Sequence, residues 1–236
     1  MTNLFRMVLV QSAKGGIGKS WLTLQIAYAL AIATGKRVLI ITTDNLNNIP
    51  TFAGCKKVLT KGLEHWLEYN EGDFVELRKN LYYISLNTTS LKKELEPKFY
   101  TFLNALKAKF DYIFIDGTPV IELNKKIAEM ATDIIIPTFL DKVTTEALTK
   151  MIKAFGLEKV KAVIPNRAAA RGKLQNSYYL KLSDSLKNTK VVLTCPIQQS
   201  NFIGELIEKG KTIYDTTSCK LDKQRAEIAK VIEVIR

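Results

Sequence analysis

The stretch that most constrains this chain runs from Phe5 to Trp21. An apolar run, FRMVLV, passes into QSAKGGIGKSW and then into a further apolar segment. Gly15, Gly16 and Gly18 let the backbone curl so that successive N–H groups converge on one anion. A helix beginning at Lys19 turns the positive end of its dipole toward the same point. Lys19 adds a mobile cation, and the Ser20 hydroxyl stands next to it. Strand, glycine loop and helix in that order are the setting in which a phosphate is cradled. The expected nucleotide-binding residues of this stretch are therefore Gly15, Gly16, Ile17, Gly18, Lys19, Ser20 and Trp21. A lysine on the β- and γ-phosphates and a hydroxyl bound directly to a cation fit ATP and Mg²⁺ as cofactors.

The rest of the chain alternates short apolar runs with amphipathic stretches. Strands are expected at Arg6–Val10, Val38–Thr42, Leu81–Leu86, Tyr112–Ile115, Ile134–Pro137, Lys159–Ile164 and Val191–Leu193. Helices are expected at Lys19–Ala33, Leu63–Tyr69, near Leu91–Lys109, and at Asn124–Met130, Thr144–Phe155, Leu174–Lys187, Phe202–Lys209 and Lys223–Ile235. VLIIT, YIFID and DIIIP are apolar throughout rather than alternating, which suits strands buried on both faces of a parallel sheet. The pattern predicts an α/β fold with a doubly wound, mostly parallel sheet. With no internal repeat and no Gly/Ser/Pro-rich linker, a single domain over residues 1–236 is the simplest organisation.

Composition narrows the function classes. Cys55, Cys195 and Cys219 show no metal-site spacing, and the one histidine, His65, lies in an apolar stretch, so a structural role is expected for it. The apolar runs are too short to span a bilayer and the start lacks a signal-peptide pattern, so a cytoplasmic protein is expected. The formal charge is +12, and residues 150–236 hold 17 Lys and Arg against 8 Asp and Glu, a net of +9. A basic C-terminal third suits a polyanion such as nucleic acid or acidic lipid. The last predicted helix sets Ile228, Val231, Ile232 and Ile235 on one stripe, which is read as core packing.

Ala13 stands where the general phosphate-loop pattern GxxxxGK[ST] has its first glycine, and a second lysine, Lys14, lies inside the loop. KGGxGK[ST] is the signature that this chain shares with the ParA/MinD ("deviant" Walker A) family of ATPases, which it resembles. The resemblance implies that Lys14 reaches across an ATP-dependent homodimer to the partner's phosphates. RVLIITTDNLNN resembles the family's VLLIDxDPQ. It gives Asp44 the task of orienting the attacking water, with Thr42 in place of the first aspartate. FDYIFIDGTP resembles the Walker B segment FDYIIIDTPP and implies that Asp116 meets the magnesium through water. In VIPNRAAARG, Asn166 and Arg167 occupy the loop that holds adenine in relatives. Lys14, Lys19 and Asp44 are thus the catalytic candidates. Trp21 replaces a common threonine, losing a hydroxyl near the α-phosphate but keeping the backbone N–H.

Among functions, the resemblance and the charge favour a DNA partition ATPase of the ParA type. Such a protein would be nucleoid-associated, binding nonspecific DNA until a ParB-like centromere-binding protein stimulates slow hydrolysis. Lys181, Lys187, Lys190, Lys209 and Lys211 are the candidate DNA contacts. A membrane-cycling ATPase of the MinD type or a metabolic ATP-dependent enzyme on the same fold are the alternatives, and no membrane partner is expected.

Overall fold

The computed structural model describes residues 5–43, 48–57, 61–85, 96–117, 121–169 and 172–236. In chain order the elements are β1 (Arg6–Val10), α1 (Lys19–Thr34), β2 (Val38–Thr42), α2 (Asn48–Phe52), α3 (Leu63–Tyr69), β3 (Val75–Arg78), β4 (Leu81–Ser85), α4 (Glu96–Leu106), β5 (Tyr112–Asp116), α5 (Ile121–Met130), β6 (Asp133–Thr138), α6 (Lys142–Phe155), β7 (Val160–Pro165), α7 (Lys173–Leu186), β8 (Val192–Leu193), α8 (Asn201–Glu208) and α9 (Asp222–Ile235). Among the described residues the strands form one eight-stranded sheet in the order β3-β4-β2-β5-β1-β6-β7-β8. All neighbours pair in parallel except β3 and β4.

β1, β5 and β6 form the centre. After β1 the chain moves outward to β2, whereas after β5 it crosses to β6 on the other side of β1. Right-handed crossovers in opposite directions put their helices on opposite faces of the sheet. The reversal leaves a crevice at the C-terminal end of β1, where ligands bind in open α/β sheets. The loop KGGIGK occupies that position.

The uniformly apolar runs are buried as their composition requires: every residue of β2, β5 and β6 is buried. Helix α1 is apolar nearly all round because it is enclosed, with β2, β4 and β5 beneath it and α9 and α2 at its sides. Its one fully buried amide, Gln25, accepts a hydrogen bond from the Ile213 N–H at 2.9 Å, tying the C-terminal segment to the helix. Ile228, Val231, Ile232 and Ile235 of α9 are buried, as the apolar stripe predicts.

Two elements depart from the sequence expectation. β3 is not among the expected strands; its sequence, VELR, is too short and mixed to stand out, yet Val75 and Leu77 are buried and Glu76 is exposed on this antiparallel edge strand. Helix α2 contains Pro50, which argues against a helix interior but is tolerated in a first turn. Helix α5 starts at Ile121 rather than Asn124, and α4 spans Glu96–Leu106 within the broader Leu91–Lys109 expectation. Leu86 and residues 91–95 of the predicted elements lie outside the described residues. The other boundaries agree to within a residue or two.

Arg78 closes the far corner of the fold. Its guanidinium donates to the Ala53 carbonyl at 2.9 Å and to the Gly210 carbonyl at 3.3 Å, and pairs with Asp215 at 2.8 Å. Beneath it the backbones of Gly54 and Gly210 touch. A Cβ on Gly210 would stand 2.2 Å from the Gly54 Cα, so neither position has room for a side chain.

Candidate nucleotide site

The loop between Val10 and Lys19 turns on Gly16 (φ 75°) and Gly18 (φ 87°). Gly18 is the N-cap of α1, in the left-handed region that glycine enters without cost. The same turn brings it under Asn166, whose amide nitrogen would lie 2.5 Å from a Cβ at this position. Asn166 is buried and donates through Nδ2 to the Ile17 carbonyl at 2.7 Å. Arg167, itself at φ 54°, donates to the Gly16 carbonyl at 2.9 Å. The two residues expected beside adenine thus hold the outer strand of the phosphate loop. With those carbonyls bound from behind, the loop's N–H groups are free to converge on an anion.

Lys19 and Asp116 form the floor of the site. Lys19 Nζ donates to Asp116 Oδ1 at 2.8 Å, and both side chains are buried, at 9% and 1% exposed. Two hydroxyls share the carboxylate: Thr23 Oγ1 donates to Oδ1 at 3.3 Å and Thr42 Oγ1 to Oδ2 at 3.4 Å. Thr42 stands opposite Asp116 in the β2–β5 register, so the alignment that replaces the family aspartate with threonine puts a neutral donor beside the carboxylate. Thr43 fixes the backbone of Asp116, its N–H donating to the Asp116 carbonyl at 3.1 Å. Thr23 is not among the residues that the motifs single out; its signal is the four-residue spacing from Lys19, which sets both on one helix face.

Lys14 is exposed. Its carbonyl accepts from Ser12 Oγ at 3.0 Å, and its ammonium makes no ion pair with a described residue. Ser20, half-buried, lies in the first turn of α1 beside Lys19. Asp44 and the Thr118-Pro119 segment lie outside the described residues.

A cavity of about 330 Å³ opens beside the loop, lined by Gly18, Trp21, Phe52, Asn166, Arg167 and the segment 197–200, with Ile203 and Ile207 of α8 behind. Trp21 is 6% exposed and forms its apolar wall. Sequence reasoning assigns Trp21 only a backbone role and does not find Phe52 or residues 197–200, which converge only in the fold. A largely apolar cavity next to a phosphate cradle has the chemistry of a base pocket. A cradle of glycine N–H groups, a buried lysine, a first-turn serine and a buried aspartate is likewise the donor set that a magnesium nucleotide requires.

The candidate polyanion contacts do not form one cluster. Lys181 and Lys187 lie on or just after α7, and Lys190 precedes β8 at one edge of the sheet. Lys209 and Lys211 flank Gly210, which Arg78 ties to the opposite edge. All five are exposed.

The family model described as an AAA domain (AAA_31) matches residues 5–167, more than half of the chain. The chain belongs to this family, as a P-loop ATPase of the ParA/MinD type. This ATPase is 27% identical to the septum site-determining protein MinD of Helicobacter pylori, over 96% of the chain and 90% of that protein. Its fold is that of apo McdA from Cyanothece, with a TM-score of 0.79 at 18% identity, covering 97% of this chain and 99% of the other. A putative plasmid partition protein from Borrelia burgdorferi bound to AMPPNP has a TM-score of 0.76 at 20% identity, covering 98% of each. At those identities the two structures speak for the fold alone.

Proposed function

We propose that this protein is a DNA partition ATPase that is switched by nucleotide-dependent dimerisation. The observation that carries the reading is the division of labour between its two loop lysines. Lys19 is buried on Asp116, whereas Lys14, in the same loop, is exposed without an ion-pair partner among the described residues. A cation held out from a phosphate loop is suited to a second subunit's phosphates, and a two-fold dimer makes the contact reciprocal. A single P-loop domain over residues 1–236 fits the one sheet that runs from β3 to β8.

In this reading Mg²⁺, when bound, would supply charge that offsets what develops on the phosphates as water attacks. The chain's own residues do the rest. N–H groups of the loop from Gly15 to Ser20 bind the phosphates. Lys19 would give up Asp116 for them, and Ser20 directly and Asp116 through water would hold the cation. Asp44 orients the attacking water. Trp21, Asn166 and Arg167 border the base.

Two features favour DNA as the surface bound. The net charge of residues 150–236 is +9, and the apolar stripe of α9 is buried rather than offered to a bilayer. Lys181, Lys187, Lys190, Lys209 and Lys211 are the candidate contacts, and a ParB-like partner would accelerate hydrolysis. A membrane-cycling reading is supported by the similarity to MinD of Helicobacter pylori. The experiment is a binding titration on plasmid-length duplex DNA with ATP, with ADP and without nucleotide, across a salt series, alongside light scattering for mass. ATP-specific dimers that bind DNA with steep salt dependence support partition. ATP-specific dimers that ignore DNA and bind anionic vesicles support the MinD-like reading.

A further inference from the structure

The basic residues of the fold gather in a place that the C-terminal charge excess does not indicate. Every parallel strand is entered from the end of the sheet opposite the phosphate loop, and several of these entries are basic. Lys79 stands in the turn before β4, Lys36 and Arg37 before β2, and Lys107 and Lys109 before β5. β4, β2 and β5 are neighbours, so these five cations enter across a width of about 10 Å. The turns are fastened to each other. Asn80 Nδ2 donates to the Gly35 carbonyl at 3.1 Å, the Val38 N–H to the Asn80 carbonyl at 2.9 Å, and the Asp111 N–H to the Arg37 carbonyl at 3.0 Å.

Four of the five rest on aromatic rings. Lys36 lies 5.5 Å from the Tyr112 ring centre, and Arg37 lies 5.3 and 5.0 Å from those of Tyr82 and Phe110. Lys107 lies 5.5 Å from Phe5 and Lys109 lies 5.1 Å from Trp66. A ring face holds a cation in place without cancelling its charge. Carboxylates at this end are fewer: Asp111 lies in the rim and accepts the Arg37 backbone N–H, Glu76 is exposed opposite Tyr82, and Asp133 is taken by Arg6 and approached by Lys161. The rim therefore presents an ordered, net positive edge.

We propose that this rim is a sequence-independent contact for the phosphate backbone of duplex DNA. It deepens the DNA reading above and rests on it for the choice of polyanion. Cations steadied on rings in adjoining turns match a regular row of phosphates. The rings themselves, Phe5, Trp66 and Tyr82, are half-buried beneath those cations rather than projecting as a lipid anchor would. The rim is at the opposite end of β1 from the nucleotide loop, so DNA and nucleotide do not compete for space. In a dimer joined through its nucleotide faces the two rims point apart and engage different duplex segments. ATP then strengthens binding to long DNA by linking two sites, and strengthens binding to a short duplex far less.

The test is fluorescence anisotropy on short and plasmid-length nonspecific duplexes, across a salt series, with and without ATP. It compares the parent, a triple variant (Lys79→Gln, Lys107→Gln, Lys109→Gln) that spares the Arg37 stack, and a control pair (Lys209→Gln, Lys211→Gln). ATP affinity and thermal midpoint are checked for each. The expected result is about tenfold or greater weakening in the triple variant. Its log–log salt slope should also fall by about 0.9 for each phosphate that is no longer neutralised, in both nucleotide states. If the triple variant binds like the parent while the control pair loses affinity, the rim assignment is overturned and the DNA reading stands. If the parent binds no duplex at low salt, both are overturned.

Discussion

Thr42 on β2 and Asp116 on β5 stand opposite each other in register, with the threonine hydroxyl 3.4 Å from Asp116 Oδ2. One buried carboxylate is thereby matched by one buried ammonium, Lys19. Thr42→Asp places a second carboxylate against the first, with no second cation among the described residues of the floor. The nucleotide-free protein should lose about 3 kcal/mol, the cost of an uncompensated buried charge. Thr42→Ser should stay within about 1 kcal/mol of the parent. Urea unfolding without magnesium or nucleotide checks this: the midpoint falls for the aspartate variant at unchanged slope. An aspartate variant as stable as the parent would show that the floor tolerates two charges.

Gly18→Ala should cripple the loop. The position has φ 87°, and the new methyl would meet the Asn166 amide at 2.5 Å. About 1–2 kcal/mol is expected from the backbone alone, with the Asn166 bond to Ile17 displaced in addition. The readout is nucleotide affinity by calorimetry, which should fall at least tenfold. Asn166→Ala should reproduce part of that loss through the unfastened loop.

Replacement of Asp44 by Ala should slow single-turnover ATP hydrolysis by about a hundredfold or more, the usual contribution of a general base, while ATP affinity is kept. The ATP-bound dimer should accumulate and persist in light scattering. Hydrolysis at the parental rate would remove Asp44 from the mechanism.

The Arg78–Asp215 pair sets a pH dependence. Burial pushes the Asp215 carboxyl up, but the Arg78 hydrogen bond and the Thr212 N–H outweigh it and hold the group below its ordinary value of 3.8. A depressed carboxylate stabilises the fold at neutral pH, and that contribution is lost only as pH falls through the depressed value. Asp215→Asn should therefore be less stable at pH 7 by about 1 kcal/mol, since solvent still reaches and partly screens this pair. The difference should hold down to the ordinary carboxylate range and close below it. Paired acid-unfolding curves that run parallel below that range would refute the assignment.

Much of this architecture could be read from local chemistry. VLIIT, YIFID and DIIIP could hardly be anything but interior strands, and KGGIGKS places a phosphate loop after the first of the strands. What escapes such reading is set by distance along the chain. β3 is a strand only because β4 lies beside it, with Val75 facing Tyr83. Thr23 looks like an ordinary helix residue until β5 brings Asp116 to it. Trp21 reads as a lost hydroxyl, yet residues nearly two hundred positions later make it the wall of a cavity. The basic rim is hidden for the same reason: its cations sit in three short stretches far apart in the sequence, and only the strand order makes them neighbours.

The contact between Lys19 and Asp116 changes what nucleotide loading means. The phosphate loop is not a bare positive trap for any passing anion, because its buried cation already carries an internal counterion. Loading would then be an ion exchange: a phosphate group drawing Lys19 to itself would displace the carboxylate, and on the proposed reading the freed Asp116 would face the cation's water shell. Phosphate or pyrophosphate arriving without a divalent cation would offer only half of that trade, so the pair would set the metal–nucleotide complex apart from bare small anions.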